Sequence, residues 1–302
     1  MEEFVNSVMG EISEDFKISL EEEGNYCVLK SFRFNDDNIP DYSKEIIQQY
    51  YLLRYFPAYL AEYYEIYSDV IRTNFLGNEF NILSIGCGSA IDLYGVHYAV
   101  EDSNYDIEIK YTGLDIIEWD YWYECDEEAY FIHDDIGNLY EFNEDMYNII
   151  IFPKSIGEFS ESDFEKLKEC IRNSRFINDR IVFIASLRNT RIDLDMGRAE
   201  EVINIIADKG YEILDDINTY THFNQKDNGW NYYINEIVPN LKYPEEIKEF
   251  MIKFYKGCQG YIENNGECCE RECEEVFTRK PVTTMSQVAY EIIRLEKKRG
   301  LN

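Results

Sequence analysis

Two glycines one residue apart, Gly86 and Gly88, follow directly on the apolar run Ile82, Leu83 and Ile85. Such a run reads as a buried strand. The glycines mark where the chain must turn sharply and where a ligand can approach bare backbone. Ser89 stands where a helix N-cap belongs, with Asp92 three residues on, close to a capping box. The helix predicted there carries Leu93, Val96, Tyr98, Ala99 and Val100 for burial. A second strand, Tyr111–Leu114, runs into an acid, Asp115. Strand, glycine turn, helix, strand, acid is the layout of a nucleoside-binding crossover unit.

Further residues able to do chemistry follow the next two predicted strands. Ala129–Ile132 reads as a third strand and is followed by His133, Asp134 and Asp135. Met146–Pro153 is the most hydrophobic run and reads as a central fourth strand, buried on both faces. It leads into Lys154-Ser155-Ile156-Gly157-Glu158-Phe159, at the carboxyl end where open α/β sheets bind ligands. Glu158 is the leading active-site candidate; it also reads as a first-turn acid favoured by a helix dipole. His97, on the first helix of the crossover, is the second candidate base. Trp119 and Trp122 read either as aromatic lining of a cofactor pocket or as core. Cys258, Cys268, Cys269 and Cys273 cluster within sixteen residues, at spacing C-x9-C-C-x3-C. Four thiolates can hold a tetrahedral structural zinc; unligated thiols, or a disulfide in an oxidising environment, are the other readings. Cys27, Cys87, Cys125 and Cys170 stand apart and read as small buried hydrophobes.

The text around the glycines, hhSIGCGSAxDL, lacks the third glycine of a dinucleotide fingerprint, because position 91 is Ile. It resembles motif I of the class I S-adenosylmethionine-dependent methyltransferases. That resemblance implies a methyl transfer from the sulfonium of S-adenosylmethionine, in which the protein chiefly positions the reactants and excludes water. It places the methionine portion on the backbone of Gly86–Ser89, the ribose on Asp115 and the adenine on Asp134 or Asp135. The cofactor set it implies is Ser84, Gly86, Cys87, Gly88, Ser89, Asp92, Asp115, Ile116, Asp134, Asp135, Pro153 and Ser155. The family's acid at the end of the first strand is here Ser84, with Asp92 the compensating candidate. Glu158 or His97 would act as base where the acceptor must lose a proton. The segment after the fourth strand reads FPKS, so it lacks the N/D-P-P-Y motif of the adenine and amide-nitrogen methylases.

The elements that must position these residues follow from periodicity. Tyr42–Phe75 carries apolar and aromatic residues at threes and fours, with Pro57 expected to divide or kink the helix. Tyr26–Phe34 reads as a strand or an extended cover. Ser162–Ser174 and Met196–Lys209 read as helices, Arg180–Leu187 as a fifth strand, and Tyr211–Leu214 as the start of a sixth that continues raggedly to Phe223. Pro244–Tyr255 is a further helix, within the insertion. Gln287–Arg294 is expected as the antiparallel last strand that separates the methyltransferase fold from dehydrogenases, with a short helix as the competing reading. The fold class expected is α/β: a doubly wound, mostly parallel seven-stranded sheet with an antiparallel last strand, plus a helical N-terminal segment and a cysteine-containing insertion. The corresponding regions are 1–77, 78–223 with 281–302, and 224–280.

Composition bounds the partners. The 302 residues carry a formal net charge of −31, which argues against a nucleic-acid substrate, since phosphates must be met by Lys and Arg. The basic runs 166–175 and 294–299 read as solvated faces. No apolar stretch is long enough to span a bilayer, and the acidic N-terminus is unlike a signal peptide, so a cytoplasmic protein is expected. The acceptor expected is a small molecule, a peptide or a protein. The rival readings are a catalytically inactive methyltransferase-like binding or regulatory module, and an NAD-dependent oxidoreductase.

Overall fold

A computed structural model describes residues 1–34, 40–121, 129–142, 146–188, 190–223, 245–267, 271–278 and 288–298. The chain divides into two compact units, Met1–Ala61 with Tyr232–Ser286, and Glu62–Asn231 with Gln287–Asn302.

The first unit is helical where it is described. Helix α1, Glu2–Glu23, buries Val5, Val8, Met9, Ile12, Phe16 and Leu20, a stripe at threes and fours that fixes its inner face. Gly24 ends it in the left-handed conformation at φ 60°. Tyr26–Phe32 is then a 3-10 helix, not the strand or extended cover expected, and the Asn25 side chain caps it by accepting from the Cys27 N–H. Helix α2, Glu45–Thr73, is one helix with Pro57 inside it, so of the two expectations the division into two helices is not met; it crosses the boundary between the units. Three shorter helices follow among the described residues of this unit: α6, Glu245–Lys256; α7, Gln259–Glu263; and α8, Arg271–Thr278. Helix α8 packs on the 3-10 segment, where Arg33 pairs with Glu275 at 2.9 Å.

The second unit holds the sheet. Its strands are β1 Glu79–Ile85, β2 Glu108–Asp115, β3 Ala129–His133, β4 Ile149–Pro153, β5 Arg180–Ser186, β6 Tyr211–Ile213, β7 Thr221–Phe223 and β8 Val288–Lys297. The order across the sheet is β3-β2-β1-β4-β5-β8-β6, with β7 also pairing β8. Strands β1 to β5 are mutually parallel, and β8 is antiparallel to β5, β6 and β7. Position 292 opposite 184 and 290 opposite 186 fix the register of β8 on β5. The antiparallel last strand expected from QVAYEIIR is therefore present, and the competing short helix is not. The ragged sixth strand expected from Tyr211 to Phe223 is two short strands, β6 and β7, which makes the sheet eight-stranded.

Central strands β1, β4 and β5 are near-continuous apolar runs because both of their faces are covered. Helices α4, Glu161–Asn173, and α5, Ile192–Asp208, share one core with them, built on Leu83, Ile85, Phe152, Phe183, Leu167, Val202 and Ile203. Ser160 caps α4, its hydroxyl accepting from the Asp163 N–H. Helix α3, Ile91–Glu101, follows β1. The second-unit part of α2 lies so close to α3 that a Cβ on Gly95 would stand 2.4 Å from Tyr63 Cβ.

Candidate active site

Because β1 to β5 run parallel, their carboxyl ends share one edge of the sheet. That edge carries the glycine turn after β1, Asp115 on β2, Asp134 after β3, the Lys154–Glu158 loop after β4 and Arg188 after β5.

The glycine turn has the backbone that glycine permits: φ is +69° at Gly86 and +54° at Gly88, and Ala90 is left-handed as well, at +56°. The capping box expected at Ser89 is not formed. The helix begins at Ile91 behind Ala90, without a side-chain cap bond, and the Ser89 hydroxyl is buried. The two glycines also differ in purpose. A Cβ on Gly86 would stand 2.4 Å from Ser155 Cβ, so its bareness accommodates Ser155 rather than a ligand. Ser155 is buried and its hydroxyl donates to the Ile85 carbonyl at 2.5 Å, which ties the β4 loop to the end of β1. A Cβ on Gly88 would meet only the Trp119 indole, at 3.7 Å, an ordinary contact.

Asp115 completes the turn. Its Oδ2 accepts from the Gly88 N–H at 2.7 Å and its Oδ1 from the Ile117 N–H at 2.9 Å. Burial raises its pKa, opposed by these two N–H groups, by the Trp119 indole and by His133. Two backbone donors still leave each oxygen with acceptor capacity. The Leu114 carbonyl accepts from both the Gly86 and the Cys87 N–H, so β2 grips the turn along its first half. Cys87 is buried under β2, where a Cβ on Gly113 would fall 2.8 Å from its sulfur; burial pushes the thiol well above its ordinary pKa. Ile116, next to the acid, is exposed.

Behind the turn lies Asp92, fully buried in the first turn of α3. Its Oδ1 accepts from the Tyr111 hydroxyl at 3.0 Å. Burial lifts its pKa to about 6, against the opposing pull of the Ser84 and Tyr111 hydroxyls. Asp92 Oδ2, Ser84 Oγ and Ser89 Oγ are buried without a well-aligned hydrogen bond among the described residues. Unsatisfied buried polar atoms are costly, so three around one turn suit a polar group that is bound there. An ammonium matches this donor set, because a buried carboxylate and two hydroxyl oxygens can all accept from it.

The remaining sequence candidates fall in distinct places. Asp134 Oδ1 accepts from the Asp135 N–H and the Asn138 side-chain amide, while its own N–H donates to the Asp115 carbonyl at 3.1 Å. Asp135 caps a short 3-10 turn through the Gly137 N–H. Pro153 ends β4, opposite Ser186. Glu158 is half-exposed on the β4 loop. His97 lies six residues into α3, about 9 Å along its axis from the helix start, and is half-buried. Trp122, Cys268 and Cys269 lie outside the described residues. Of the cysteine cluster, Cys258 precedes α7 and Cys273 is buried in α8. Among the described residues no group of three or more His, Cys, Asp or Glu side chains could hold a metal; two of the four cysteines of the cluster fall outside them.

Sequence reasoning missed three features of this edge. Lys154 is left-handed, at φ +61°. Its ammonium pairs with the buried Glu62 at 2.8 Å and donates to the Leu187 carbonyl at 3.3 Å. A non-glycine residue in that conformation persists only where its surroundings impose it. The third feature is Arg188, held on Asp195. Glu62 is far from Lys154 in the chain, and Asp195 stands seven residues from Arg188, across a turn into a helix, so neither pairing follows a helix or strand spacing.

No family model and no curated protein matches the chain. Solved structures do resemble it. The plantazolicin methyltransferase BpumL in complex with SAH is 14% identical over 96% of this chain and 100% of its own, at a TM-score of 0.43. The [4+2]-cyclase SpnF is 15% identical over 77% of this chain and 80% of its own, at 0.39. A TehB-like SAM-dependent methyltransferase from Corynebacterium glutamicum is 17% identical over 49% of this chain and 74% of its own, at 0.33. Likenesses this distant carry no argument about activity. The strand order, with its antiparallel β8 between β5 and β6, gives the second unit a mostly parallel, doubly wound, Rossmann-like sheet with the antiparallel last strand that the sequence leads one to expect.

Proposed function

We propose that this chain transfers a methyl group from S-adenosylmethionine to a small-molecule, peptide or protein acceptor. The observation that carries the reading is the junction of Asp115 with the glycine turn. One carboxylate holds the Gly88 N–H and keeps acceptor capacity at the tip of β2, beside the central strands. Ribose hydroxyls would donate to Asp115, and the methionine ammonium to Asp92 Oδ2 with Ser84 and Ser89 around it. The cofactor supplies the activated methyl when bound. The chain's own tasks are then to fix the turn through Ser155 and Asp115, and to meet the acceptor with Glu158 at the end of β4. The net charge of −31 favours a neutral or cationic acceptor over nucleic acid.

A methyltransferase-like binding module is the second reading. Two features favour it: Ser84 stands where the family carries an acid, and both Asp115 oxygens already accept backbone N–H groups. An oxidoreductase is disfavoured by Ile91 in place of the third glycine and by the antiparallel β8. Calorimetric titration with S-adenosylmethionine, S-adenosylhomocysteine and NADH separates these readings. Binding of the two adenosyl sulfur compounds without NADH binding is expected. Conversion of S-adenosylmethionine to S-adenosylhomocysteine on adding a cell extract then distinguishes the enzyme from the module.

A further inference from the structure

Arg188 stands just beyond Leu187 at the end of β5 and is held in one orientation by Asp195, which is fully buried near the start of α5. The Arg188 backbone N–H and Nε donate to Asp195 Oδ2 at 2.8 and 3.1 Å, and Nη2 donates to Oδ1 at 2.7 Å. A guanidinium gripped on a two-nitrogen edge is set in geometry as well as charge. Its other terminal nitrogen, Nη1, lies 3.8 Å from Glu158 Oε1. Gly157, the residue before Glu158, fits beside this pair only because it has no side chain. A Cβ there would stand 1.9 Å from Asp195 Oδ1 and 2.0 Å from Arg188 Nη2. The β4 loop is thus seated against the arginine that faces its glutamate. Among the described residues, Lys154 pairs with Glu62 at 2.8 Å and Arg198 with Glu161 at 2.7 Å.

We propose that Arg188, anchored by Asp195, is a positioning residue for Glu158, holding that carboxylate ionised at the carboxyl end of β4. Its functional meaning rests on reading Glu158 as the group that meets the acceptor. A carboxylate beside a fixed guanidinium is a weaker base near neutral pH, so Glu158 meets the acceptor as an anion.

The test is a carbon-13 titration of the glutamate carboxyls, with the Glu158 resonance assigned by its loss in E158Q. The expected result is a Glu158 midpoint ~0.5 pH unit or more higher in R188Q than in the unaltered protein, with R188K between the two. Coincident midpoints in the unaltered protein and in folded R188Q overturn the proposal. Should R188Q fail to fold, the unaltered protein titrated at low and high salt decides. A local cation predicts a midpoint that rises as salt screens it, whereas the strongly negative net charge alone predicts a fall. A constant or falling midpoint overturns the proposal. Failure here leaves cofactor binding at Asp115 untouched, and absence of cofactor binding leaves the Arg188 titration untouched, so the two failures are distinguishable.

Discussion

Asp92 and Asp115 bracket the glycine turn from behind and from the side, and burial lifts the pKa of both. Their consequences differ. Asp92 has a pKa of about 6 and can hold an ammonium only when ionised. S-adenosylmethionine affinity should therefore fall as pH drops below about 6, approaching tenfold per pH unit. In D92N that dependence should flatten, with weaker binding at pH 7.5. Calorimetry at pH 5.0, 6.0 and 7.5 checks both, and a D92N profile parallel to the unaltered protein's would remove Asp92 from the cofactor site. Gly86 belongs to the same scale. A methyl group there collides with Ser155, so G86A should lower the melting temperature, and the double variant G86A/S155G should recover part of the loss.

At the scale of elements, β8 carries a group that fits its surroundings poorly. Glu291 is 1% exposed, and neither carboxylate oxygen has a hydrogen-bond partner among the described residues. It shares a strand face with Ala289, Ile293 and Leu295, all in the core with α5. Burial, then the neighbouring Glu200 and Asp216, push its pKa to about 8. The folded state holds this proton more tightly than the unfolded chain does. Stability from this group is thus present at low pH and is lost as pH rises from about 4.5 through about 8. E291Q should melt higher than the unaltered protein at pH 8, with a smaller difference at pH 5. Equal differences at the two pH values would contradict a protonated Glu291.

These elements were unequally legible in the sequence. Strands β1, β2, β4 and β5 are apolar runs bounded by polar residues, and each lies within three residues of where the pattern puts it. The antiparallel β8 was legible from QVAYEIIR once the parallel strands had been counted. Helix α1 was passed over although Val5, Val8, Met9, Ile12, Phe16 and Leu20 mark its face, because its many acids dilute the signal. Tyr26–Phe32 alternates too little to tell a strand from a 3-10 turn, and its Asn25 cap is the clue that decides. At the site, the glycines and Asp115 could be read from spacing, but their hydrogen bond could not. Ser155 under Gly86 and Glu62 on Lys154 were hidden because each pair meets only when distant segments assemble, and Asp195 on Arg188 because a seven-residue spacing across a turn has no fixed geometry.

At the scale of the whole molecule, Met1–Ala61 with Tyr232–Ser286 form one unit, which carries Cys258 and Cys273, and the sheet with its site edge belongs to the other. The account's central claim concerns the second unit: the turn and Asp115 together hold an adenosyl cofactor. Parallel calorimetric titrations of S-adenosylmethionine into the unaltered protein and into folded D115A test it most directly. The account predicts binding to the unaltered protein and an affinity lower by about 10- to 100-fold in D115A, the equivalent of about 1.4–3 kcal/mol for lost hydrogen bonds to a charged group. Equal affinity in the two proteins, or no binding to the unaltered one, would contradict it.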